Sequence, residues 1–386
     1  MIPRAIADSI LNLRVKYPVL LLTGPRQSGK TTILKSLFPD YIYVNLEYGP
    51  SRDFAENDPI GFLNQYPNKV IIDEAQRVPS LFSYIQVRVD ETRMMGQFIL
   101  SGSQNILLSE KVSQSLAGRV AILKLLPLSL SELNKVSSSI STELVDRMYN
   151  GGYPAIYDRN MEPMEFFPSY LETYVERDVR LMMNIQDLKP FRTLLTLCAG
   201  RIGQPINYHS LALEASISLP TLKKWLTILE SSYVVFMLSP YYENISKRVV
   251  KAPKLYFYDT GLCCHLLNIQ AAEQLNHFHS RGNIFENLIA LEIIKNRFNR
   301  FISPNIYYWK DSNNKEIDFV IPKGIDLDMV EVKMSSTASE SHFSNIHSYR
   351  KAMKNDSGNN YVIYTGNDNQ RRSNGTILSW RNIDNI

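Results

Sequence analysis

The strongest chemical signal in the sequence is a candidate phosphate-binding loop. It runs Gly24-Pro25-Arg26-Gln27-Ser28-Gly29-Lys30-Thr31, fits G-x-x-x-x-G-K-[ST], and is followed by Thr32. Backbone N–H groups of such a loop can surround a phosphate, Lys30 would reach the β- and γ-phosphates, and the Thr31 hydroxyl would hold Mg²⁺. The segment Gly24 to Thr32 therefore predicts a nucleotide site, against the alternative of a chance match in an ordinary turn.

A second signal is the acidic pair Asp73-Glu74, which ends the aliphatic run Val70-Ile71-Ile72. Such a run is typical of a buried parallel strand whose carboxyl end opens onto a ligand crevice. Asp73 would hold Mg²⁺ through water, and Glu74 would orient and deprotonate the water that attacks the γ-phosphate. The alternative is a helix cap or a solvated turn.

Two further polar positions could reach the same nucleotide. Ser103 or Gln104, at the end of the predicted strand at 97–104, could touch the γ-phosphate or the attacking water, and a Gly-Ser turn is the alternative. Arg119 follows Ala117-Gly118 and could meet the phosphates of its own or a neighbouring subunit. A surface arginine is the alternative there.

The elements that must position these residues form an α/β pattern. Ile6, Ile10 and Leu13 have helical spacing and predict a lead-in helix, and a helix from Thr32 stops before Pro39. Strands are predicted at 19–23, 41–46, 70–74, 97–104 and 121–126. The loop therefore lies between a strand and a helix, whose N-terminus adds its positive dipole end to the phosphate site.

The order of these motifs resembles an AAA+-type P-loop ATPase. It is similar in particular to the prokaryotic family that carries a C-terminal domain of uncharacterised function, and residues 15–135 match that pattern. The resemblance implies a parallel P-loop NTPase sheet, ATP and Mg²⁺ as cofactors, a sensor role for Ser103, and sites that often lie between subunits of a homo-oligomer. No Asn-Lys-x-Asp guanine signature occurs, which favours ATP over GTP.

Acidic residues in the last hundred positions give another candidate site. A helix at 284–294, strands at 306–310, 316–321 and 329–333, a helix at 340–353 and a closing strand at 361–364 are predicted in the order αβββαβ. Glu331 and Lys333 share one face of a strand, because side chains two apart do so, and Asp318 ends the neighbouring strand. Asp318 and Glu331 would hold Mg²⁺, Glu286 could complete the site, and a metal-bound water near Lys333 could attack a phosphodiester.

This αβββαβ order resembles the PD-(D/E)XK nuclease core. The family's proline before the metal-binding aspartate is replaced by Ile317, at a position where that proline varies widely. The resemblance implies a nuclease-like fold. Cleavage does not follow from the fold, because such cores are reused as inert scaffolds and each acid alone is explained by a surface ion pair.

The middle of the chain predicts helices and then a winged helix. A helical lid over the nucleotide is predicted up to about residue 200, with a hinge-like break at Gly151-Gly152. Two helices beginning near Asn207 and at Pro220 precede strands at 233–238 and 254–258. A DNA-binding winged helix would place its second helix in the major groove and phosphate contacts in the wing; the basic residues concerned are Lys223, Lys224, Lys247, Arg248, Lys251 and Lys254. A winged helix used for protein packing is the alternative.

Composition limits these interpretations. The 386 residues suggest two or three domains, and a formal charge of +4 does not by itself indicate a nucleic-acid binder. No segment approaches the roughly 20 apolar residues of a membrane span, and we expect a cytoplasmic protein without a membrane partner. Cys198, Cys263 and Cys264 lack zinc-like spacing and are expected to be buried thiols.

Taken together, the sequence predicts an ATPase domain at 1–137, a helical lid at 138–203, a winged helix at 204–262 and a nuclease-like domain at 263–386. The first hypothesis is an ATP-hydrolysing machine that acts on DNA and has a Mg²⁺-dependent nuclease-like site. The alternative is an ATP-dependent switch whose C-terminal parts bind protein partners. DNA-stimulated ATP turnover would distinguish the two hypotheses.

Overall fold

The computed structural model describes residues 2–103, 115–136, 141–175, 188–242, 252–353 and 356–386. The chain forms two compact units. The first contains Met1–Leu128, Ser231–Tyr233 and Arg297–Ile302, and the second contains Ser129–Glu230, Val234–Asn296 and Ser303–Ile386. Most of the segments predicted as lid, winged helix and nuclease-like domain thus belong to the second unit, whereas Ser231–Tyr233 and Arg297–Ile302 belong to the first.

The first unit is built on a five-stranded parallel sheet in the order β2-β3-β4-β1-β5. Its strands are β1 (Val19–Thr23), β2 (Ile42–Asn45), β3 (Val70–Asp73), β4 (Phe98–Gly102) and β5 (Val120–Lys124). The predicted strands are confirmed, each within about two residues at its ends. Because all strands are parallel, the residues that follow β1, β3 and β4 meet at one edge of the sheet.

Both faces of this sheet are covered, as the aliphatic runs of its strands require. Val19 and Leu21 pack into one hydrophobic core, whereas Leu20 and Leu22 pack into a second core on the opposite face. The helices of the unit are α1 (Ala7–Arg14), α2 (Lys30–Leu37), α3 (Gly49–Asn57), α4 (Pro59–Gln65) and α5 (Leu81–Thr92). The lead-in helix and the helix after the phosphate loop are therefore confirmed, and the sheet has the layered architecture expected of a P-loop NTPase.

The second unit begins with helices, as predicted. They are α6 (Leu130–Leu133), α7 (Leu144–Asn150), α8 (Pro154–Asp158), α9 (Pro163–Tyr170), a π-helical turn (Leu171–Val175) and α10 (Lys189–Gly200). Gly151 ends α7 with φ +67°, and a Cβ there would lie 2.2 Å from Asp259 Oδ1. The predicted break at Gly151 is thus a close-packed helix end. Whether these helices act as a lid over the nucleotide stays a prediction.

Two helices and an antiparallel strand pair follow. They are α11 (Tyr208–Glu214), α12 (Leu219–Ser231), β6 (Val235–Leu238) and β7 (Lys254–Phe257). Asn207 caps α11 by accepting a hydrogen bond from Ser210 N at 3.1 Å, and Pro220 lies in the first turn of α12, where its missing N–H costs little. Lys247, Arg248 and Lys251, predicted for the wing, lie outside the described residues, as does Gln104.

The C-terminal part carries a mixed sheet in the order β12-β13-β11-β10-β9-β8. Its elements are α13 (Thr260–Leu266), α14 (Arg281–Asn299), β8 (Tyr307–Lys310), β9 (Glu316–Lys323), β10 (Asp326–Lys333), α15 (Ser344–Met353), β11 (Asn360–Tyr364), β12 (Gln370–Arg372) and β13 (Gly375–Ser379). Short 3-10 turns cover 272–276, 340–343 and 380–385. The predicted αβββαβ order is present, but the prediction that residues 361–364 close the sheet was wrong, because β13 pairs with β11 and β12 extends the sheet further.

Cys198, Cys263 and Cys264 are buried free thiols, as expected. Within the described residues, no helix is both long enough and apolar enough to cross a membrane.

Candidate nucleotide site and C-terminal carboxylate cluster

The phosphate loop is shaped by backbone conformations that its glycines permit. Gly29 has φ +91° immediately before α2, and Gly24 has φ +152° immediately after β1. A Cβ on Gly24 would lie 2.1 Å from the Leu125 carbonyl oxygen, so no other residue fits there without a shift of the backbone. The loop therefore turns from β1 into α2 as the motif predicts.

Lys30 lies inside this loop, and its ammonium points back at the loop's own backbone. Its Nζ donates hydrogen bonds to Gly24 O at 2.9 Å and to Pro25 O at 2.8 Å. Burial lowers the pKa of Lys30 to about 8, against the opposing effects of Glu74 and Asp73. The ammonium is thus desolvated and hydrogen-bonded to neutral carbonyls. A phosphate would stabilise its positive charge more strongly than these carbonyls do.

Asp73 is the centre of a network of hydroxyl donors at the end of β3. Its Oδ2 accepts from Thr31 Oγ1 at 2.7 Å and from Tyr43 OH at 2.8 Å, and its Oδ1 accepts from Ser101 Oγ at 2.5 Å. Burial alone would raise the pKa of Asp73, but these hydrogen bonds outweigh burial and lower it below its usual value. The structure thus brings Thr31 and an ionised Asp73 together, and this is the pair predicted to hold Mg²⁺.

Glu74 lies in the same region and has its own polar neighbours. Its backbone is left-handed, with φ +53°, and its Oε2 accepts hydrogen bonds from Gln76 Nε2 and, at 3.4 Å, from Ser103 Oγ. Ser103 is buried. Ser103 therefore contacts the predicted base, and Gln76 is an additional contact that sequence reasoning missed.

Arg119 lies elsewhere. Arg119 comes directly before β5, and its backbone oxygen accepts a hydrogen bond from Val19 N at the start of β1. It therefore lies where these strands begin, whereas the phosphate loop follows the end of β1. Its guanidinium forms a double ion pair with Asp90, at 2.6 and 2.8 Å. The prediction that Arg119 could meet the phosphates of its own subunit was wrong, because the parallel strand places it at the opposite edge; a contact with a neighbouring subunit stays a prediction.

The remaining loop residues differ in exposure. Pro25 and Ser28 are buried, Arg26 is half-buried, and Gln27 and Thr32 are exposed. Arg4 is a further contributor without a sequence signal: its guanidinium donates to Ser28 O and to Leu126 O, each at 2.6 Å. This arginine therefore braces the loop against the chain that leaves β5.

A second set of acids lies on the C-terminal sheet. The antiparallel register pairs Val330 with Phe319, so the next positions, Glu331 and Asp318, are opposite each other. Asp318 Oδ2 accepts from Val332 N at 2.7 Å, and Lys333 Nζ lies 2.5 Å from Glu331 Oε2. The structure thus brings the predicted Asp318, Glu331 and Lys333 together, although Asp318 is the third residue of β9 and not its last.

Lys254 enters the same cluster from β7. Its Nζ lies 2.9 Å from Glu286 Oε1 on α14 and contacts Glu316 Oε1 at the start of β9. Tyr256 OH donates to Glu286 Oε1 at 2.5 Å. The prediction that Lys254 is a phosphate-contacting wing residue was wrong, because its side chain is only 1% exposed and is paired with carboxylates.

Burial controls the protonation of this cluster. It raises the pKa of Glu286 to about 7 and that of Glu331 to about 8, and the nearby Asp318 charge adds to both shifts. Burial also raises the pKa of Asp318. Burial alone would lower the pKa of Lys254, but Glu286, Asp318 and Glu316 reverse that effect and raise it. Burial is thus the main reason that Glu286, Asp318 and Glu331 hold their protons more tightly than exposed acids do.

The donor set is suited to a hard divalent cation. Glu286, Glu316 and Asp318 can each offer an oxygen within 4.8 Å of the others. Glu331 Oε1 is buried and has no hydrogen-bond partner of normal geometry in the described part of the chain, although the nearby Asn345 side chain opposes the rise in the pKa of Glu331. Oxygen ligands and an unsatisfied buried carboxylate fit Mg²⁺ or Mn²⁺ better than a softer metal.

Sequence reasoning missed Glu316 and Lys254 in this cluster. Glu316 is two residues before Asp318, and the period of two along a strand could have revealed it as a neighbour on the same face. Lys254 is 32 residues from Glu286, and no local pattern connects them.

The two lysines of the predicted recognition helix are exposed to solvent, and their contact with DNA stays a prediction. Lys223 and Lys224 are exposed on α12, while Leu222, Trp225 and Leu226 are buried. The exposed surface of α12 therefore carries two positive charges, and α12 is the helix predicted to contact DNA.

Family comparisons cover most of the chain. Residues 16–134 match the family described as "AAA domain", residues 141–273 match "Domain of unknown function (DUF8612)" and residues 281–383 match "Domain of unknown function (DUF4143)". The N-terminal part therefore matches an AAA domain, in agreement with its parallel sheet and its phosphate loop.

Individual proteins are similar over greater lengths. The chain is 30% identical over 329 residues to "Uncharacterized protein Rv2008c" of Mycobacterium tuberculosis, covering 84% of this chain and 72% of that protein. It is 25% identical over 369 residues to "Uncharacterized protein MJ1544" of Methanocaldococcus jannaschii, covering 87% and 79%. Among solved structures, a Walker-type ATPase of Pyrococcus abyssi has a TM-score of 0.43 at 16% identity, covering 69% of this chain and 96% of that one.

Proposed function

We propose that this chain binds and hydrolyses ATP through its AAA domain. The premise is that the chain belongs to the same protein family as the M. tuberculosis relative. The observation that carries this proposal is the Thr31–Asp73 pair, in which a P-loop hydroxyl lies 2.7 Å from an acid whose pKa is lowered. Glu74 follows directly in the chain. These are the groups that phosphoryl transfer to water requires.

Each residue has a distinct part in this proposal. Lys30 exchanges the carbonyls of Gly24 and Pro25 for phosphate oxygens, which gives its buried ammonium an anionic partner. Mg²⁺, when bound with ATP, supplies positive charge that neutralises the phosphates. Thr31 and Asp73 would hold it, and Glu74 takes the proton of the attacking water.

Turnover of ATP by three variants tests this proposal. Lys30→Ala should lose nucleotide binding, whereas Glu74→Gln should bind ATP but hydrolyse it at least about 100-fold more slowly, because the proton acceptor is gone. Glu56→Gln is the matched control, since Glu56 is exposed on α3. Normal turnover by Glu74→Gln would refute the assignment of the base.

A second proposed activity is phosphodiester cleavage at the C-terminal cluster. It is supported by the side-by-side placement of Asp318, Glu331 and Lys333, with 2.5 Å between Lys333 Nζ and Glu331 Oε2. The test is cleavage of plasmid and single-stranded DNA in Mg²⁺ or Mn²⁺, with and without ATP. Cleavage should be lost in both Asp318→Ala and Lys333→Ala; no cleavage by the wild type under any of these conditions would reject this activity.

DNA as the partner is part of the same proposal. Lys223 and Lys224 expose two positive charges on α12. If DNA is the partner, it should stimulate ATP turnover at low salt, and Lys223→Ala/Lys224→Ala should reduce the stimulation. An absence of stimulation at low salt would favour the alternative, an ATP-dependent switch that binds protein partners.

A further inference from the structure

The C-terminal cluster already contains a cation supplied by the chain itself. The Lys254 ammonium contacts Glu316 Oε1 and lies 2.9 Å from Glu286 Oε1. These two carboxylates belong, with Asp318, to the three acids whose oxygens come within 4.8 Å of one another. An ammonium group and a divalent ion would therefore compete for the same oxygens.

Lys254 is held in this place by its backbone and its surroundings. It pairs with Leu238 across the β6–β7 ladder and forms a bridge with Pro205. Its Nζ lies 5.4 Å from the centroid of the Tyr308 ring, within the range of a cation–π contact. Moving the ammonium aside would break two ion pairs in the protein interior, where an unpaired charge is strongly disfavoured.

The other half of the cluster is different. Asp318 and Glu331 face each other across β9 and β10, and Glu331 Oε1 is buried without a hydrogen-bond partner in the described residues. Lys333 contacts the second oxygen of Glu331 and leaves Oε1 available. Each half therefore has an ammonium group: Lys254 pairs with both Glu286 and Glu316, whereas Lys333 pairs with one oxygen of Glu331 and leaves the other without a hydrogen-bond partner.

We propose that Lys254 is the resident cation of the Glu286–Glu316 pair and excludes divalent ions from it. This inference rests on the proposed divalent-cation site of the C-terminal cluster, and it narrows that site to the side of Asp318 and Glu331. Glu286 is then a partner of Lys254 and Tyr256, not a metal ligand. A second divalent ion has no place at the Glu286–Glu316 pair, because the buried Lys254 ammonium already pairs with both carboxylates.

Replacing the lysine tests the exclusion directly. In the full chain without nucleotide, Lys254→Met should bind one more Mn²⁺ than the wild type, or bind Mn²⁺ at least ~10-fold more tightly, because two carboxylates become available as ligands. Its thermal midpoint should rise in Mn²⁺ relative to EDTA by more than that of the wild type. Lys310→Met is the matched control: Lys310 lies 3.1 Å from Glu316 Oε2 and is 34% exposed, and its loss should add no ion.

Two results would overturn the proposal. One is equal Mn²⁺ stoichiometry in Lys254→Met and the wild type, with affinities within about twofold of each other. The other is a Lys254→Met protein that fails to fold in Mn²⁺ as well as in EDTA, because a divalent ion should replace the missing positive charge.

A test that keeps Lys254 complements this one. In a wild type that binds Mn²⁺, Glu286→Gln should leave the affinity unchanged and Asp318→Asn should lower it at least ~10-fold, and equal losses would contradict the division of the cluster. DNA cleavage is scored separately. A gain of Mn²⁺ by Lys254→Met without cleavage in any variant would support the exclusion and reject the proposed nuclease activity.

Discussion

Lys30 and Lys254 are both buried ammonium groups, with 6% and 1% of their surfaces exposed, and the protein surrounds them in different ways. Lys30 is hydrogen-bonded to two neutral carbonyls and its pKa is lowered by burial. Lys254 contacts two carboxylates, and together with Asp318 they raise its pKa although burial opposes them. Among the described residues, the first ammonium has no anionic partner within hydrogen-bond distance, and the second has two.

The acids at the two sites show the reverse arrangement. Asp73 is kept ionised mainly by the hydroxyl groups of Ser101, Thr31 and Tyr43, and the Lys30 ammonium adds a smaller effect. In the C-terminal cluster, the negative charge of Glu286 is stabilised by the ammonium group of Lys254. A site that must accept and release a charged ligand has its charges held by neutral dipoles, whereas a site filled by its own ion pairs gains stability and loses room for a ligand.

The largest expected effect is the difference in stability between two methionine variants. Lys254→Met should lose about 3–5 kcal/mol in metal-free buffer, because Glu286 and Glu316 are left without their buried cation. Lys30→Met should change the free energy of unfolding by no more than about 1 kcal/mol, because the described hydrogen bonds of its ammonium go to the neutral carbonyls of Gly24 and Pro25 and the ammonium is itself costly to bury. Thermal and denaturant unfolding in EDTA measure both; equal losses would remove the contrast.

Asp259 differs from both Asp73 and Glu286, because it is a buried acid that accepts hydrogen bonds from backbone N–H groups. It accepts from Gly152 N at 2.7 Å and Leu262 N at 3.0 Å, and burial raises its pKa to about 6. The folded state therefore binds this proton more tightly than the unfolded state, and Asp259 should lower stability by about 3 kcal/mol as pH rises from 4 to above 6.

Asp259→Asn tests that dependence. Unfolding measured from pH 4 to 7 should show a decline with pH that is smaller in the variant by the contribution of Asp259. Glu273→Gln is the control, because Glu273 lies in the same unit as Asp259 but has an exposed side chain. Parallel pH profiles for the wild type and Asp259→Asn would show that the Asp259 carboxyl is not protonated in this range.

Removal of one hydroxyl from the Asp73 network should have a smaller effect. Tyr43→Phe loses the donor 2.8 Å from Asp73 Oδ2, while Thr31 and Ser101 remain. Loss of one hydrogen bond is worth about 0.5–1.5 kcal/mol, so kcat/KM for ATP should fall roughly 2–10-fold. Tyr41→Phe is the matched control, because the Tyr41 hydroxyl donates to Gly96 O and not to an acid. A drop of the same size in both variants would argue against a special role for Tyr43.

The smallest effect is expected at the outer edge of the C-terminal cluster. Lys310 pairs with Glu316 Oε2 at 3.1 Å, but it is 34% exposed and its charge is partly solvated. Lys310→Ala should cost about 0.2–1 kcal/mol, and added salt should reduce the difference from the wild type. A cost as large as that of Lys254→Met would show that exposure does not separate the two ion pairs.

Predictions from the sequence succeeded where the information is local. The P-loop, the Asp73-Glu74 strand end and the alternation of Glu331 and Lys333 each lie within a few residues, and strand and helix periodicity placed them on the right elements. Lys254 was misassigned because its partners come from α14 and β9. Strand β12, with the residues Gln370-Arg371-Arg372, lacks the apolar alternation that predicts a strand, so the continuation of the sheet was missed.

The brace formed by Arg4 has a practical consequence for how the ATPase part can be isolated. Residues that match the AAA domain begin at 16, yet the guanidinium that holds Ser28 O and Leu126 O comes from a position before that boundary. A fragment trimmed to residues 16–134 would also lose Ile6 and Ile10, which are 0% and 1% exposed in one core of the sheet. Recombinant fragments, and tags fused close to the first helix, should therefore retain the residues from Pro3 onward if the phosphate loop is to keep its shape.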